Sequence, residues 1–186
     1  MKRIYFKLIS IFPIAISVGV MTFITAWFCN FMGWTVWLSF LSWALYFLHG
    51  GTAQKGLSAF ISFIYGIALA QLAIWYINYL FEISPQEAWW STYIVPSSVF
   101  IVASIITLTM RINDSWASFI PAVYIGTVFR FAFIDLSLAN KNITEIVPDL
   151  VFPILFGLII GWCTVTLLVF LDKVGFAQWH RRWEVE

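Results

Sequence analysis

The sequence predicts an all-α polytopic membrane protein with six transmembrane helices. Apolar residues recur in six long runs, the basic residues between the runs fall almost entirely on one side, and the composition is strongly apolar. Hydrophobic residues make up 62% and charged residues 10% of the 186 residues, far from an ordinary soluble domain. One transmembrane domain over residues 1–186 is therefore expected, with a cytoplasmic interfacial tail at 172–186.

Six apolar runs give the predicted helices in order. They cover residues 8–31, 34–48, 57–81, 92–110, 112–134 and 147–171. A helix rises about 1.5 Å per residue, so about 20 apolar residues cross a hydrocarbon core of about 30 Å. The first run resembles a signal peptide but is too long, so a retained helix is expected. The second run is short, so the bilayer must thin locally there or the helix must break at His49-Gly50-Gly51.

The basic residues predict the orientation. Placing both termini in the cytoplasm puts eight Lys and Arg side chains inside, and Lys141 is then the only basic residue of an outer loop. The eight are Lys2, Arg3, Lys7, Lys55, Arg111, Lys173, Arg181 and Arg182. Because Lys and Arg near span ends set topology, we expect a multi-pass protein of the bacterial inner membrane with both termini cytoplasmic.

Small residues mark a predicted helix seam on the third and sixth runs. They are Ser58, Ser62 and Gly66 on the third run, and Gly157 and Gly161 on the sixth. Small side chains let helix backbones approach closely in lipid. A structural seam is the first interpretation, and it favours contact between the third and sixth helices. Lining of a pore is the alternative.

The two halves of the chain, 8–81 and 92–171, share a weak internal repeat. Residues 60–66 parallel 151–157, and residues 40–46 parallel 119–124 with an offset of one. Three spans per half would turn the second half upside down, which gives two inverted three-helix repeats. Such repeats build many transporters, with a site near the midplane. Chance similarity between two apolar sequences is the alternative.

A predicted solute path combines polar and helix-breaking residues of the third and fifth runs with His49, which comes just after the second run. The path comprises Gln71, Pro121, Gly126, Arg130 and His49. A charge such as Arg130 is costly at membrane depth and often functional, although it could instead snorkel outward and pair with Asp135. Pro121 is expected to kink its helix, either toward a cavity or simply for packing. His49 could sense pH or form an ordinary interfacial turn.

Other classes of site are not indicated. The sequence has no Ser/His/Asp arrangement, no phosphate-binding Gly-Lys-Ser/Thr and no metal-ligand spacing, so neither an enzyme nor a cofactor is expected. Cys29 and Cys163 cannot be assumed to meet. The net charge of +1 argues against nucleic acid as a partner. The expected partners are the lipid bilayer, further copies of the chain and an unknown small solute.

Three stretches resemble a known family. They are residues 118–126, the inner turn with Lys55-Gly56-Leu57, and residues 153–161. Over most of residues 15–170 the chain resembles small bacterial inner-membrane proteins catalogued as domain of unknown function ten-ninety-seven. The resemblance implies a six-helix fold in the bacterial inner membrane and no substrate, cofactor or catalytic residue. Arg130 and the tail beyond Leu171 are not part of it, so any role there would be particular to this chain.

The sequence therefore predicts a channel or facilitator for a small neutral or weakly charged solute, with its site where the two halves meet. The scarcity of charges within the runs argues against an ion pump. Self-association is expected because six short helices make a thin bundle. The alternative is a non-transporting scaffold or regulatory subunit, and an integral membrane enzyme is a third hypothesis with little support.

Overall fold

Six helices and no strand make up the described part of the chain. The computed structural model describes residues 2–83, 92–112, 117–135 and 143–174. The helices are α1 (Lys2–Met32), α2 (Val36–Leu48), α3 (Ala53–Ile83), α4 (Ile94–Ile112), α5 (Ile120–Asp135) and α6 (Ile143–Lys173). The predicted all-α fold is confirmed, whereas the predicted tail lies mostly outside the described residues.

Three of these helices are long and apolar enough to cross a membrane. Their apolar segments are Phe12–Met32 in α1, Ala53–Ile83 in α3 and Val147–Lys173 in α6. The other three helices are apolar but have shorter segments, at Val36–Leu48, Ile94–Thr109 and Ile120–Phe133. Length and composition thus indicate a membrane protein.

Glycines end α1 and α2 in the same way. Gly33 has φ +69° and Gly50 has φ +103°, a left-handed conformation that glycine adopts without a Cβ clash. After α2, Gly50 N donates to Phe47 O and Gly51 N donates to Tyr46 O, both at 3.0 Å. This is the Schellman pattern of helix termination. His49 is the C-cap residue of α2 and is half-buried.

The fifth helix begins later than the sequence predicts. Ile112 is the last residue of α4, and α5 begins at Ile120 rather than at residue 112. Pro121 lies in the first turn of α5, where backbone N–H groups have no partner within the helix and a proline costs nothing. Pro121 therefore starts α5, and the predicted kink at this residue is wrong.

Two compact units divide the chain. The first comprises Met1–Ala53 and Asp149–Glu186, and the second comprises Gln54–Pro148. The first unit holds α1, α2 and most of α6, and the second holds α3, α4 and α5. This grouping differs from the predicted halves. Helix α3 belongs to the same unit as α4 and α5, and most of α6 belongs to the same unit as α1 and α2.

Each unit has its own core. In the first, Leu38 and Tyr46 of α2 and Leu150 and Ile154 of α6 are almost fully buried. At the surface of this unit, Trp34 stacks on the exposed Phe152 with ring centroids 5.8 Å apart. In the second, a buried cluster joins α3, α4 and α5. Its members are Leu69, Ala73, Val102, Ile106 and Val123. The site described below lies beside this second core, between α3 and α5.

Candidate functional site

A close crossing of α3 and α5 in the second unit positions the candidate site. A methyl group at Gly66 would overlap Val123 O and lie 3.1 Å from Thr127 N. A methyl group at Gly126 would overlap Phe63 O and lie 3.2 Å from Ile67 N. Only a hydrogen fits at either glycine, so the two backbones touch here as small residues allow in packed helices.

Polar contacts fix the register of the same crossing. Phe119 N donates to Ser62 Oγ over 3.2 Å, and Thr127 Oγ1 donates to Gly66 O over 3.2 Å. Thr127 Oγ1 also lies 3.0 Å from Val123 O, one turn back in its own helix. The contacts advance in the same direction along both helices, so α3 and α5 run parallel.

Arg130 and Gln71 meet just beyond the crossing, and we call them the polar pair. Arg130 Nε donates to Gln71 Oε1 over 2.8 Å. Arg130 is 5% exposed and Gln71 is 8% exposed. Arg130 therefore does not extend outward to solvent, and the alternative in which it snorkels is not borne out. The side chain of Asp135, its predicted partner, lies outside the described residues.

One end of the Arg130 guanidinium has no hydrogen-bond partner among the described residues. Its Nη1 is buried and forms no hydrogen bond with any part of the chain that the structure describes. A buried donor without an acceptor costs about 1–3 kcal/mol, and more when the group is charged. Such an exception among buried polar groups needs an explanation, and a missing acceptor is the direct one.

The polar pair offers mainly hydrogen-bond donors, because its one acceptor atom, Gln71 Oε1, already accepts a hydrogen bond from Arg130 Nε. Gln71 Oε1 is engaged by Arg130 Nε, so the amide nitrogen of Gln71, with two N–H groups, points away from that bond. Arginine has only donors. The arrangement can therefore bind a group that brings oxygen acceptors. Among the described residues, no cluster of His, Cys, Asp or Glu could hold a metal ion.

A second glycine crossing joins α2 and α6 in the first unit. A methyl group at Gly157 would overlap Ser39 O and Ser42 Oγ. Ser39 Oγ donates to Pro153 O over 2.8 Å. At Gly161 a methyl group would lie 2.9 Å from the ring of Tyr46. These contacts also advance together, so α2 and α6 run parallel.

Two further bonds complete the packing around this crossing. Cys29 Sγ lies 3.2 Å from Ser39 Oγ, which ties α1 to α2. The buried Tyr46 donates its hydroxyl to Gly51 O over 2.7 Å and so holds the turn after α2. The described cysteines are free. All of these groups serve packing, and none is arranged for chemistry.

The predicted seam residues thus fall at two separate crossings. Gly66 packs on α5, whereas Gly157 and Gly161 pack on α2. Ser62 is buried at the first crossing and Ser58 is half-buried further back on α3. Contact between the third and sixth helices stays a prediction.

The predicted solute-path residues are only partly brought together. Gln71, Gly126 and Arg130 share the α3–α5 crossing and its continuation. Pro121 is exposed at the start of α5, and His49 caps α2 in the first unit.

Sequence reasoning missed that Gln71 and Arg130 are partners. A spacing signal was nevertheless present, because Gln71 follows Gly66 by five residues and Arg130 follows Gly126 by four. In parallel helices that cross at these glycines, both polar residues lie about one turn further along. Recognising the signal requires knowing that α3 packs against α5, which the sequence did not reveal.

Comparison with models of known protein families identifies the family of the chain. A family model described as a protein of unknown function, DUF1097, matches residues 15–166, which is most of the chain. The chain belongs to the DUF1097 family. The predicted resemblance is confirmed, and both glycine crossings and the polar pair of this DUF1097 protein lie inside the matched segment. No curated protein and no solved structure matches the chain.

Proposed function

We propose that this DUF1097 protein is an inner-membrane channel or facilitator for a small neutral or weakly charged solute. In the proposal, six helices cross the membrane and both termini are cytoplasmic. The observation that carries the proposal is the buried polar pair, in which Arg130 Nε donates to Gln71 while Nη1 has no partner among the described residues. Ionisable groups in this position among apolar helices usually mark a substrate or ion pathway.

The apolar surface supports the membrane setting. Large side chains are strongly exposed in both units, for example Phe23 at 72% and Phe100 at 73%. A soluble monomer rarely exposes so many large apolar side chains. Lipid would cover these side chains at no cost. The helices that carry them therefore fit a bilayer even where they are shorter than α1, α3 and α6.

The parallel helix pairs support the alternating topology. In a chain that crosses a membrane six times, odd-numbered helices run one way and even-numbered helices run the other. Both observed crossings obey this rule, since α3 is parallel to α5 and α2 is parallel to α6. A misplaced or missing span between either pair would have made that pair antiparallel.

The composition of the two units supports an inverted repeat. If the first three helices correspond to the last three, the unit with α1, α2 and α6 corresponds to the unit with α4, α5 and α3. Gly66 and Gly157, which are equivalent in the sequence match, both pack on the middle helix of the other half. The two crossings differ in register. Gly157 meets Ser39 and Gly66 meets Val123, whereas the sequence match pairs Ser39 with a residue about five positions before Val123.

The position of the polar pair also fits the transport proposal. Gln71 belongs to the first predicted half of the chain and Arg130 to the second. Inverted-repeat transporters hold their solutes where the two repeats meet, near the middle of the bilayer. The polar pair is a place where buried polar side chains of both halves bond to each other.

A non-transporting scaffold or regulatory subunit is the second candidate. The observation in its favour is α1, in which only 11% of the apolar segment Phe12–Met32 is buried. Its exposed side chains include Phe23, Trp27 and Phe31. Another membrane protein, or a second copy of the chain, could cover this face as well as lipid does.

Solute flux into liposomes tests the proposal. Purified protein in liposomes should speed osmotic re-swelling with at least one of urea, glycerol, ammonium and short carboxylates. Gln71→Leu should change that rate more than Leu72→Ala, because Leu72 is its exposed neighbour on α3. If every solute behaves as in empty liposomes, the scaffold function is favoured instead.

A further inference from the structure

We propose that the polar pair binds a small monovalent oxyanion, of the class of formate, acetate or nitrate. The inference rests on the proposed function, because it names the solute class that the same site would pass. It starts from one atom, the buried Nη1 of Arg130, which forms no hydrogen bond with any residue that the structure describes.

The hydrogen-bonding capacity of the site selects an acceptor. The one acceptor atom of the Gln71 side chain is engaged by Arg130 Nε. The Thr127 hydroxyl, one turn before Arg130, donates to Gly66 O. The atom left over at the polar pair is a donor, Nη1 of Arg130, which has no partner among the described residues. A ligand that also needed to donate, such as urea or an alcohol, would find fewer partners than an oxyanion.

The charge of the site points the same way. Arg130 is a cation at 5% exposure, and a buried cation is stable only when an anion or several acceptors compensate it. On α3 the acidic residue nearest to Gln71 in the sequence is Glu82, which is exposed and eleven residues further along. That distance is about three helical turns. An external anion would supply the compensation that α3 does not.

Geometry limits the shape and size of this anion. Nε is occupied, so a carboxylate or nitrate would approach the guanidinium end-on through its terminal nitrogens, as a planar fork pairs with a planar oxyanion. Nη1 is shut off from solvent in this conformation. Because the backbones of α3 and α5 touch at Gly66 and Gly126, a small ion would require the least separation of the two helices.

Thermal unfolding of the purified protein tests binding without any transport. The protein is held in phosphatidylcholine nanodiscs, and sodium formate, acetate or nitrate replaces sodium gluconate at constant ionic strength. A ligand of the native state raises Tm by mass action, so each small anion should raise Tm by several degrees relative to gluconate. Neutral formamide and urea should give no such rise.

Variants assign the effect to the polar pair. Arg130→Met should abolish the Tm response to formate and nitrate. The double variant Arg130→Met with Gln71→Leu provides a second apolar form in case the single variant folds poorly, and it too should not respond. Leu72→Ala should keep the full response. A formate response that survives loss of Arg130 would overturn the proposal.

The phosphate of a lipid headgroup could accept the same hydrogen bonds as a soluble anion. Changing the lipid composition of the nanodisc distinguishes these two ligands. A stabilisation that depends on Arg130 and follows the phosphatidylglycerol content of the nanodisc, with no response to formate or nitrate, would assign the polar pair to a headgroup. That result would overturn the proposal of a soluble anion.

Liposome flux separates this inference from the proposed function. Potassium formate and nitrate are tested with valinomycin, which balances the charge that an anion carries. Faster urea or glycerol flux with no anion binding would support the facilitator function and overturn the proposal of an anion site. Arg130-dependent stabilisation by formate with no accelerated flux of any solute would support the anion site and overturn the facilitator.

Discussion

Arg130 on α5 donates its Nε to Gln71 Oε1 on α3 over 2.8 Å, and both side chains are almost fully buried. The bond joins residues 59 positions apart in the chain. Nη1 of the same guanidinium has no partner among the described residues, and the donor end of the Gln71 amide points away from the bond. The same Nη1 therefore lowers the stability of the fold and is also the atom that can donate to a bound acceptor.

The polar pair should behave as a coupled unit in stability measurements. Gln71→Leu alone removes the acceptor of Nε and leaves a buried cation with still fewer bonds, so it should destabilise by about 1–3 kcal/mol or more. Adding Arg130→Met removes the cation as well. The double variant should be more stable than Gln71→Leu, because replacing a buried polar pair with apolar residues is often neutral or stabilising.

A double-mutant cycle in anion-free buffer measures this coupling. Leu72→Ala is the control on the exposed face of α3. If the effects of Gln71→Leu and Arg130→Met on the free energy of unfolding simply add, the hydrogen bond between them contributes nothing and the prediction is wrong.

The α3–α5 crossing should tolerate no added carbon. Gly66→Ala and Gly126→Ala each place a methyl group against a backbone carbonyl of the other helix. The helices must separate, and overpacking of this kind typically costs about 1–3 kcal/mol. Gly126→Ala should also weaken the Tm response to formate, since Arg130 follows Gly126 by about one turn.

Gly19→Ala is the matched control for both variants. Gly19 lies in α1 and has nothing within 4 Å of its added methyl position. Alanine is a better helix former than glycine by about 1 kcal/mol, so Gly19→Ala should leave Tm unchanged or raise it. Equal Tm values for Gly19→Ala, Gly66→Ala and Gly126→Ala would contradict the close crossing.

The α2–α6 crossing should respond in a graded way. Gly157→Ala meets the backbone of Ser39, which cannot move without shifting the helix, whereas Gly161→Ala meets the ring of Tyr46. We expect Gly157→Ala to lower Tm more than Gly161→Ala. Gly157→Leu should lower it further or dissociate an oligomer, as size-exclusion chromatography in detergent would show. Unchanged melting and size for Gly157→Leu would mean that this glycine faces lipid.

The two glycine crossings also show what the sequence could predict. Runs of apolar residues were enough to place six helices, because a helix in an apolar setting needs little else. The small size of Gly66, Gly157 and Gly161 indicated close approach but not the approaching helix, since every neighbouring surface is equally apolar. Pairing α3 with α5 requires the register of Thr127 with Gly66, which only the folded chain provides.

The start of α5 was missed for a related reason. The sequence interpretation ended one run at residue 110 and began the next at residue 112, so it left no room for the break before α5, which begins at Ile120. Pro121 was the local signal, because proline is favoured in the first turn of a helix. The sequence interpretation treated it as a kink within a longer span. The bond between Arg130 and Gln71 was missed because two long-range elements must be aligned before the residues meet.

The alternating topology predicts which sites an impermeant thiol reagent can reach. With Cys29 and Cys163 replaced, Lys55→Cys should stay unlabelled from outside intact cells and become labelled after lysis. Asn142→Cys, in a predicted outer loop, should be labelled in intact cells. The parallel pairing of α3 with α5 requires their starts to lie on the same side. Labelling of Lys55→Cys in intact cells would overturn the whole topology.

A carboxylate built into the polar pair should substitute for the external anion. Gln71→Glu keeps nearly the same shape and places an acceptor with full negative charge against Arg130, where Gln71 Oε1 now lies 2.8 Å from Nε. Because the buried guanidinium is then compensated internally, Tm in gluconate should rise toward that of the wild type in formate. The further response to formate or nitrate should disappear although Arg130 is intact. Gln71→Met, similar in size and uncharged, is the control and should not raise Tm. A Gln71→Glu protein that still gains stability from formate as the wild type does would show that the anion binds elsewhere.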